Sequence, residues 1–311
     1  MKRSKIIKRF RVDKPDKFRL DEIDPKDNCG LDFTKDDAKK MLADTSKDLA
    51  EEQDKLYAQD RWAVLIIFQA MDAAGKDGVT KHVMSGVNPQ GCEVHSFKAP
   101  TPEELDHDFL WRSARALPER GRIGIFNRSY YEEVLVVRVH PEILDRQKLP
   151  KGVDRKTIWE DRYKSIRAFE RHLVRNGTKV LKFHLRISKE EQRQRFLDRL
   201  DEPGKRWKFS MNDVSERQHW DEYMKAYEEM IRATSTKEAP WYVVPSDDKW
   251  FARMFVAAAL DDTLDSLKLE YPKVANSPEL RAVKQALLNE GGKLKPAGKA
   301  KSAVKRKSGK R

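Results

Sequence analysis

The sequence is poor in cysteine and has no apolar stretch of membrane-spanning length. Only Cys29 and Cys92 occur in 311 residues, which excludes a disulfide-stapled scaffold and fits a reducing cytoplasm. The strongest apolar run, residues 63–68, is far shorter than the roughly 20 residues that a membrane-spanning helix needs. Residues 1–20 are basic and lack the apolar segment of a secretory signal, so we expect a cytoplasmic location.

Positive charge is abundant, but it is concentrated at the two ends of the chain. Of the net charge of +13, residues 1–20 carry +7 and residues 291–311 carry +9, which leaves −3 for residues 21–290. A net charge of this size is typical of nucleic-acid-binding proteins, but the positive charge lies at the ends of the chain and not in its core. Residues 290–311 are low in complexity and lack aromatic side chains, so we predict a disordered basic tail that attracts nucleic acid nonspecifically at most.

The middle of the chain, residues 32–289, has neither an internal repeat nor a linker, which predicts one domain preceded by an irregular basic arm over residues 1–31. Apolar strand patterns alternate there with helical patterns. The predicted strands are residues 63–69, 93–98, 123–126, 179–185 and 241–244. This alternation predicts an α/β fold with a five-stranded parallel sheet that helices cover on both faces.

The segments between the strands have helical patterns, two of them with clear N-caps, Thr34 and Ser188. The predicted helices are residues 34–59, 75–87, 102–116, 134–139, 154–175, 188–200, 210–234 and 249–268. Parallel sheets of this kind bind ligands at the carboxyl ends of their strands. Residues that directly follow a strand are therefore the first candidates for chemistry.

The segment FQAMDAAGKDG follows the first strand and precedes a helix, as a phosphate-binding loop does. The pattern G-x-x-x-x-G-K-[ST] is met at Gly75 and Lys76, but Ala70 replaces the first glycine and Asp77 replaces the magnesium-binding hydroxyl. A carboxylate at Asp72 would repel phosphate unless it binds a metal or takes a proton from the substrate. We assign Asp72 to one of these roles and Lys76 to phosphate charge, with an ordinary strand-to-helix turn as the alternative.

The segment FNRSY comes directly after the third strand, where nucleotide kinases often carry an acid that acts on magnesium or as a base. Asn127 cannot be a base. Arg128 can clamp a phosphoryl group during transfer. Glu132 or Glu133, one turn further on, would supply the missing charge as a metal ligand, unless both are simply the acidic first turn of a helix.

Residues 188–220 combine two predicted helices with a basic connecting loop that contains one proline and one glycine, which is the arrangement of a lid. Arg195 and Arg199 share one helix face and repel each other unless an anion or an acid lies between them. The basic side chains at the tip of this lid are Lys205, Arg206 and Lys208. A solvated basic turn is the alternative.

Taken together, the motifs resemble the polyphosphate kinase 2 family, whose members move phosphate between polyphosphate and nucleotides. The shared motifs are MDAAGKDG, NPQG, FNRSY, WKFS, APWYV and DKW, spread over roughly residues 20–270. The resemblance implies a thymidylate-kinase-like P-loop core, magnesium with manganese as an alternative, and a basic tunnel for polyphosphate. It also implies a homo-oligomer, either a dimer or a tetramer.

The resemblance implies functional roles for Asp72, Lys76, Arg128 and the lid arginines. Many members have Asp-Arg-Ser where this chain has Asn127-Arg128-Ser129. In this respect the chain is similar to a subgroup that phosphorylates both nucleoside mono- and diphosphates. We therefore expect a reversible reaction with AMP and ADP, and GMP and GDP as further acceptors. Asn88, Asn127 and Tyr130 lie within the shared motifs and are assigned to nucleotide binding.

Polyphosphate carries about one negative charge per phosphate, so its channel should be lined with Lys and Arg. The residues assigned to phosphate and polyphosphate are Ala73, Ala74, Gly75, Lys76, Asp77, Gly78, Lys81, Arg112, Arg122 and Arg128. One rival interpretation is an ATP-dependent nucleoside or nucleotide kinase, which normally keeps a hydroxyl where Asp77 stands. A second rival is a basic nucleic-acid-binding protein, for which the sequence offers no zinc-ligand spacing and no RNP-type strand.

Overall fold

The computed structural model describes residues 3–31, 35–275 and 277–289. The strands within this part of the chain are β1 Ala63–Gln69, β2 Cys92–Ser96, β3 Ile123–Asn127, β4 Thr178–Arg186 and β5 Trp241–Pro245. They form one parallel sheet in the order β2-β3-β1-β4-β5. The predicted α/β fold with a five-stranded parallel sheet is confirmed.

Helices of varied length connect the strands. The α-helices of the described residues are α1 Arg3–Phe10, α2 Lys35–Gln59, α3 Lys76–Val83, α4 Pro102–Leu105, α5 Trp111–Arg115, α6 Val136–Val139, α7 Ile158–Arg175, α8 Lys189–Asp201, α9 Met211–Glu216, α10 Trp220–Thr234, α11 Lys249–Ser266 and α12 Pro278–Leu288. Short 3-10 helices cover Pro15–Lys17, Leu20–Glu22, Pro89–Gly91, Tyr130–Val134, Pro141–Arg146, Arg206–Lys208 and Arg217–His219.

The strand β1 is the centre of the sheet and is buried along its whole length. It is flanked by β3 and β4, and its continuous apolar sequence fits a strand that is covered on both faces. Helices α2, α3 and α11 pack together in one layer, and α6, α7 and α10 pack together in another. The residues that follow β1 and β3 are thereby held at the same edge of the sheet.

The N-terminal arm is more ordered than predicted, because it contains the helix α1. Ile6, Ile7 and Phe10 are buried in the main core. Just after this helix, the Val12 N–H donates to the carbonyl oxygen of Trp241 in β5 at 2.9 Å. The prediction of an irregular segment is wrong for residues 3–10, where apolar side chains at helical spacing pack into the core and the following residues cover the edge of β5.

Two helices that were predicted as continuous are broken. Residues 102–116 form α4 and α5, and between them the Asp108 carboxylate accepts from the Leu110 N–H at 2.9 Å in a turn that precedes the second helix. Residues 210–234 form α9, a 3-10 turn and α10. At that break, Glu216 Oε2 lies 2.9 Å from His140 Nε2 and accepts from the Tyr223 hydroxyl at 2.6 Å. Periodicity does not reveal the second break, where Glu216 contacts side chains that include one distant in the sequence.

Other element limits differ by a few residues. The helix predicted over 75–87 ends at Val83, and the helix predicted from 154 begins at Ile158. The helix predicted over 134–139 is preceded by a 3-10 turn and begins at Val136. The predicted N-cap at Thr34 lies outside the described residues.

The chain divides into two compact units, Met1–Tyr271 and Pro272–Arg311. The sheet belongs to the first unit, and α12 belongs to the second. The domain limits of 32–289 stay a prediction, and the predicted tail, residues 290–311, lies outside the described residues. Within the described part of the chain, none of the helices is long and apolar enough to span a bilayer.

Candidate active site

The loop of residues 70–75, which we call the phosphate loop, joins β1 to α3. Ala73 and Gly75 have φ angles of 63° and 109°, in the left-handed region that glycine tolerates and alanine rarely adopts. Lys76 Nζ donates to the carbonyl oxygen of Ala70 at 2.8 Å, so the lysine side chain folds back along the loop. The chain therefore has the compact turn before a helix N-terminus that binds phosphate in other proteins.

An ion pair joins the phosphate loop to the end of β3. Arg128 Nη2 donates to Asp72 Oδ1 at 2.7 Å. Burial works against the charged carboxylate, but Lys76 and Arg128 outweigh it and hold the pKa of Asp72 below its ordinary value. Burial also works against the charge of Arg128, whose pKa is nevertheless raised by the carboxylates of Glu132 and Asp72. Asp72 is thus ionised at neutral pH and is a weak proton acceptor.

Polar contacts fix the groups around this ion pair. Asn127 Nδ2 donates to Asp77 Oδ1 at 2.6 Å. When the Gln69 amide is assigned the orientation that satisfies both of its ends, its nitrogen donates to Glu132 Oε1 at 2.8 Å and its oxygen accepts from the Ser129 N–H at 3.1 Å. Burial raises the pKa of the Glu132 carboxyl. The residues after β1 and β3 therefore form one connected network.

Two cavities meet at the ion pair, and both are lined by Asp72, Phe97, Lys98 and Arg128. The larger one, of about 570 Å³, extends over the phosphate loop, and we call it the cationic cavity. Among the described residues that line it, three aspartates face a larger set of cations, namely Lys76, Lys98, Arg128, Arg195, Arg199, Lys205, Lys208, Lys249 and Arg253. Such a lining suits a ligand with several negative charges.

The second cavity, of about 380 Å³, combines apolar and charged side chains, and we call it the mixed cavity. Its apolar and aromatic lining includes Phe97, Val136, Ile143, Tyr223 and Tyr227. Its charged lining includes Arg112, Arg128, Arg146, Asp72, Glu132, Glu133, Asp213 and Glu216. A ligand with a planar organic part and an anionic part fits this combination.

The structure brings several predicted lid residues to the cationic cavity. Arg199, Lys205 and Lys208 line it, and Arg199 Nη1 lies 3.5 Å from Asp213 Oδ2. Arg206 instead donates from Nε to the carbonyl oxygen of Leu200 at 2.9 Å. Arg195 is buried and directs its guanidinium at backbone carbonyl groups.

Some predicted residues lie away from the two cavities. Arg122 precedes β3 at the opposite edge of the sheet, where its Nε lies 3.0 Å from Glu119. Asn88 caps a 3-10 turn by accepting from the Gln90 N–H. Lys81 is exposed in the last turn of α3, outside the lining that the described residues give to either cavity.

Two further residues of the FNRSY region have buried partners. The Tyr130 hydroxyl donates to Glu170 Oε1 at 2.9 Å beneath the sheet. Glu133 pairs with Arg162 at 2.8 Å. Both glutamates line the mixed cavity. Among the described salt bridges, Glu133 has a cationic partner and Glu132 has none, so Glu132 is the freer of the two to bind a ligand.

Lys98, Lys249 and Arg253 were missed in the sequence. Lys98 follows β2, and Lys249 and Arg253 lie one turn apart at the start of α11, just after β5. Arg253 Nη2 would lie 3.7 Å from a Cβ atom on Gly78, so it reaches the helix that follows the phosphate loop. Considering the end of every strand, rather than only β1 and β3, would have found all three.

Comparison with known proteins agrees with the geometry. A model of the polyphosphate kinase 2 (PPK2) family matches residues 32–272. A Rhodopseudomonas palustris protein named ADP-polyphosphate phosphotransferase is 53% identical over 284 residues, covering 90% of this chain and 98% of that protein. A Meiothermus ruber protein named AMP/ADP-polyphosphate phosphotransferase is 45% identical over 273 residues, covering 88% of this chain and 98% of that protein.

A solved structure is similar over nearly the whole chain. The crystal structure of polyphosphate kinase 2 from Arthrobacter aurescens TC1 has a TM-score of 0.83 and 41% sequence identity, covering 93% of this chain and 97% of that chain. The match confirms the P-loop kinase-like fold and the resemblance carried by the motifs. This chain belongs to the polyphosphate kinase 2 family.

Proposed function

We propose that this protein transfers phosphoryl groups between inorganic polyphosphate and the nucleotides AMP and ADP. One observation carries the proposal: a cavity lined mainly by cations and a mixed cavity meet at the Asp72–Arg128 ion pair. The names of the relatives from Rhodopseudomonas palustris and Meiothermus ruber support the same substrates.

Polyphosphate is assigned to the cationic cavity. Its repeating charge needs cations along a path rather than at one point. The phosphate loop and Lys76 supply that charge at one end, and Lys249 and Arg253 of α11 extend it. Lys205 and Lys208 of the lid tip add charge from the other side. If ATP were the donor, many of the cations in this extended lining would have no phosphate beside them to neutralise their charge.

The acceptor nucleotide is assigned to the mixed cavity. Tyr223, Tyr227 and Phe97 offer flat surfaces for a base, and Arg112 and Arg146 offer charge for its phosphates. Because both nucleoside mono- and diphosphates present a terminal phosphate on the same scaffold, we propose AMP and ADP as acceptors, with GMP and GDP as further acceptors.

The transfer itself requires alignment and charge neutralisation more than covalent chemistry. An oxygen of the acceptor's terminal phosphate attacks the terminal phosphorus of polyphosphate. The bond from that phosphorus to the bridging oxygen breaks, and the electron pair leaves with the shortened chain. Arg128, where the cavities meet, stabilises charge on the phosphoryl group in transit. The reverse reaction uses the same contacts.

Magnesium would bind at this site together with the substrate phosphates. Within the described residues, no group of three or more His, Cys, Asp or Glu side chains is placed to hold a metal. Magnesium often binds one or two carboxylates together with substrate phosphates and water. Asp72, which is ionised and faces both cavities, would be that carboxylate, with Glu132 as the second candidate. The ion would neutralise phosphate charge during transfer, and manganese is the alternative.

A product assay tests the proposed function. Purified protein is incubated with polyphosphate and, separately, AMP, ADP, GMP or GDP, with magnesium or with a chelator, and the products are separated by chromatography. We expect ADP from AMP and ATP from ADP only when magnesium is present. Absence of these products, together with transfer from ATP to a nucleoside or nucleotide, would instead identify an ordinary ATP-dependent kinase.

The basic tail and the assembly state are separate parts of the proposal. We propose a cytoplasmic homo-oligomer whose residues 291–311 attract nucleic acid only nonspecifically. Deletion of residues 291–311 should leave phosphoryl transfer intact and abolish retention of RNA on a filter. Specific RNA binding by a full-length protein without transfer activity would contradict the proposal. Light scattering of the same samples measures the oligomeric state.

A further inference from the structure

The start of α8 is fastened to the phosphate loop by two side chains one turn apart. Gln192 Nε2 donates to the carbonyl oxygen of Asp72 at 3.0 Å. Arg195 Nη1 donates to the carbonyl oxygens of Ala73 at 3.0 Å and Ala74 at 2.9 Å. Three consecutive carbonyl groups of the phosphate loop are therefore held by one helix.

Every N–H group of Arg195 has an acceptor. Its Nε donates to Glu191 at 2.7 Å, and its Nη2 donates to the carbonyl oxygens of Ser246 at 2.6 Å and Asp247 at 2.8 Å. Together with the two loop carbonyls, these acceptors use all five donors of the guanidinium. Arg195 thus ties α8, the phosphate loop and the exit of β5 together and keeps no donor for a phosphate.

The direction of the three carbonyl groups determines the direction of the amides. In a planar trans peptide, the C=O of one residue and the N–H of the next point to opposite sides. Holding the carbonyls of Asp72 and Ala74 against α8 therefore turns the N–H groups of Ala73 and Gly75 to the other side of the loop. The Ala74 N–H is used within the loop, where it donates to Met71 at 3.3 Å.

We propose that Gln192 and Arg195 are positioning residues that hold the phosphate loop in its anion-binding conformation. The inference rests on the proposed function, because the loop is taken to bind the transferred phosphate. It changes the role of Arg195, which sequence alone assigned to a mobile lid. The first two turns of α8 belong to the fixed part of the site, and lid closure begins beyond Arg195.

The substitution Arg195→Lys separates positioning from charge. Lysine keeps the positive charge, but a single ammonium cannot reach the acceptors that a planar guanidinium holds. Arg193→Lys is the matched control, because Arg193 lies on the same helix, is 55% exposed and pairs only with Glu190 among its described salt bridges. If Arg195 acted by charge alone, both variants would behave like the natural protein.

Two measurements report on the loop itself. Hydrogen exchange of the peptide covering residues 70–79, without any substrate, should be about tenfold faster in Arg195→Lys and unchanged in Arg193→Lys. In the polyphosphate-driven conversion of ADP to ATP, kcat should fall by about 10²-fold, because small displacements of reacting groups are costly. The KM for ADP should stay within about twofold, since neither Arg195 nor the residues whose carbonyl groups it holds, Ala73 and Ala74, line the mixed cavity.

Gln192→Met is the second variant. It retains side-chain volume while removing the bond to the Asp72 carbonyl, together with the bond that Gln192 Oε1 accepts from Arg217 at 2.9 Å. We expect the same pattern with a smaller effect, about tenfold in kcat, because one carbonyl is released instead of two. Should Arg195→Lys fail to fold, this variant carries the test. The inference is overturned if a folded variant keeps more than half of the natural kcat and shows unchanged exchange in residues 70–79.

Failure of the proposed function is distinguishable from failure of this inference. If the natural protein makes no ATP from polyphosphate and ADP, the proposed function is wrong. The exchange of residues 70–79 and calorimetric binding of inorganic tripolyphosphate still report on the loop in that case. Weaker tripolyphosphate binding by Arg195→Lys than by Arg193→Lys would then support the inference on its own.

Discussion

Two acid–base pairs of similar length occupy different environments beside the same sheet. Lys182 Nζ lies 2.6 Å from Glu170, and Arg128 Nη2 lies 2.7 Å from Asp72. In the first pair the side chains are 0% and 2% exposed, whereas in the second they are 39% and 26% exposed. We call the first the closed pair and the second the open pair.

Hydrogen bonding separates the pairs further. The Lys182 ammonium donates to Glu170, to the Tyr131 hydroxyl and to the Thr234 carbonyl, which accounts for its three N–H groups. Glu170 also accepts from the Tyr130 hydroxyl. The closed pair has no capacity left for a ligand and serves the fold, whereas the open pair borders two cavities and is available for chemistry.

The largest effect is expected from breaking the closed pair. Glu170→Gln leaves the buried Lys182 without an anionic partner, so the free energy of unfolding should fall by about 3–5 kcal/mol. Guanidinium denaturation measures this change. The double substitution Glu170→Gln with Lys182→Met removes both charges and should recover part of the loss. Turnover per folded molecule should stay near the natural value.

Glu190→Gln is the control for this change, since it removes the same kind of charge from an exposed pair with Arg193. The Glu190→Gln variant should have the same denaturation midpoint as the natural protein. An unchanged midpoint in Glu170→Gln as well would mean that the closed pair contributes nothing to the fold.

Breaking the open pair should lower turnover strongly and stability little, which is the reverse of the effect expected for the closed pair. Arg128→Ala removes a positioned charge donor, so turnover should fall by about 10²-fold or more while stability changes little. Lys76→Ala should cost a similar factor in turnover for the same reason. Asp72→Asn should abolish transfer or weaken its dependence on magnesium. ATP formation from polyphosphate and ADP, measured across a magnesium titration, tests all three.

A near-natural rate for Asp72→Asn would contradict the assignment of that carboxylate to metal binding. A loss of stability in Arg128→Ala as large as that of Glu170→Gln would remove the distinction between the two pairs. Circular dichroism melting curves of the same preparations provide that comparison.

The sequence marked each member of the open pair as a candidate site residue, because local signals mark both, but it did not predict that they form an ion pair. Asp72 and Arg128 each follow a strongly apolar strand, and parallel strands bring such residues to one edge. The closed pair was not predicted, since Lys182 lies inside a strand and Glu170 inside a helix, where nothing in the local pattern indicates a buried partner. Arg195 was predicted as a lid residue, but its contacts with the phosphate loop were not predicted, because they join residues about 120 positions apart in the sequence.

The same contrast explains the errors in the helices. Strands were predicted to within two residues at either end, and β1 most directly, because its continuous apolar run marks it. At the break between α9 and α10, Glu216 contacts His140, which lies 76 positions away and leaves no signal in the local pattern. Tyr130 belongs to a family motif, yet it lies in the core against Glu170, so motif membership alone did not indicate exposure to a ligand.

A smaller effect is expected from the cations that α11 contributes to the cationic cavity. Lys249→Ala and Arg253→Ala should each raise the KM for long-chain polyphosphate by about tenfold, the order of a charged hydrogen bond, with kcat unchanged. The open pair remains intact in both variants, so the chemical step is preserved. Steady-state kinetics with long-chain polyphosphate measure the change.

Lys225→Ala is the matched control, because Lys225 is an exposed cation of α10 outside the described lining of both cavities. It should leave the KM for polyphosphate unchanged. Equal KM values for all three variants and the natural protein would show that the polyphosphate does not extend along α11.

The smallest effect is expected from titration beside the open pair. Burial raises the pKa of Glu132, whereas Lys76 and Arg128 hold the pKa of Asp72 low despite its own burial. As the pH falls towards and below the raised pKa of Glu132, that side chain takes up a proton and Arg128 loses a negative partner. Asp72 stays ionised over the same range.

Glu132→Gln isolates this titration, because the variant is neutral at every pH. Near neutral pH, kcat/KM for ADP should be severalfold higher in the natural protein than in the variant. The ratio of the two values should approach one as the pH falls through the range in which Glu132 takes up a proton. That range lies above the ordinary glutamate pKa of about 4.3. Ionisation of the substrate phosphates affects both proteins equally and cancels in the ratio. A ratio independent of pH would mean that the charge of Glu132 does not act on the open pair, whose properties would then follow from Asp72, Lys76 and Arg128 alone.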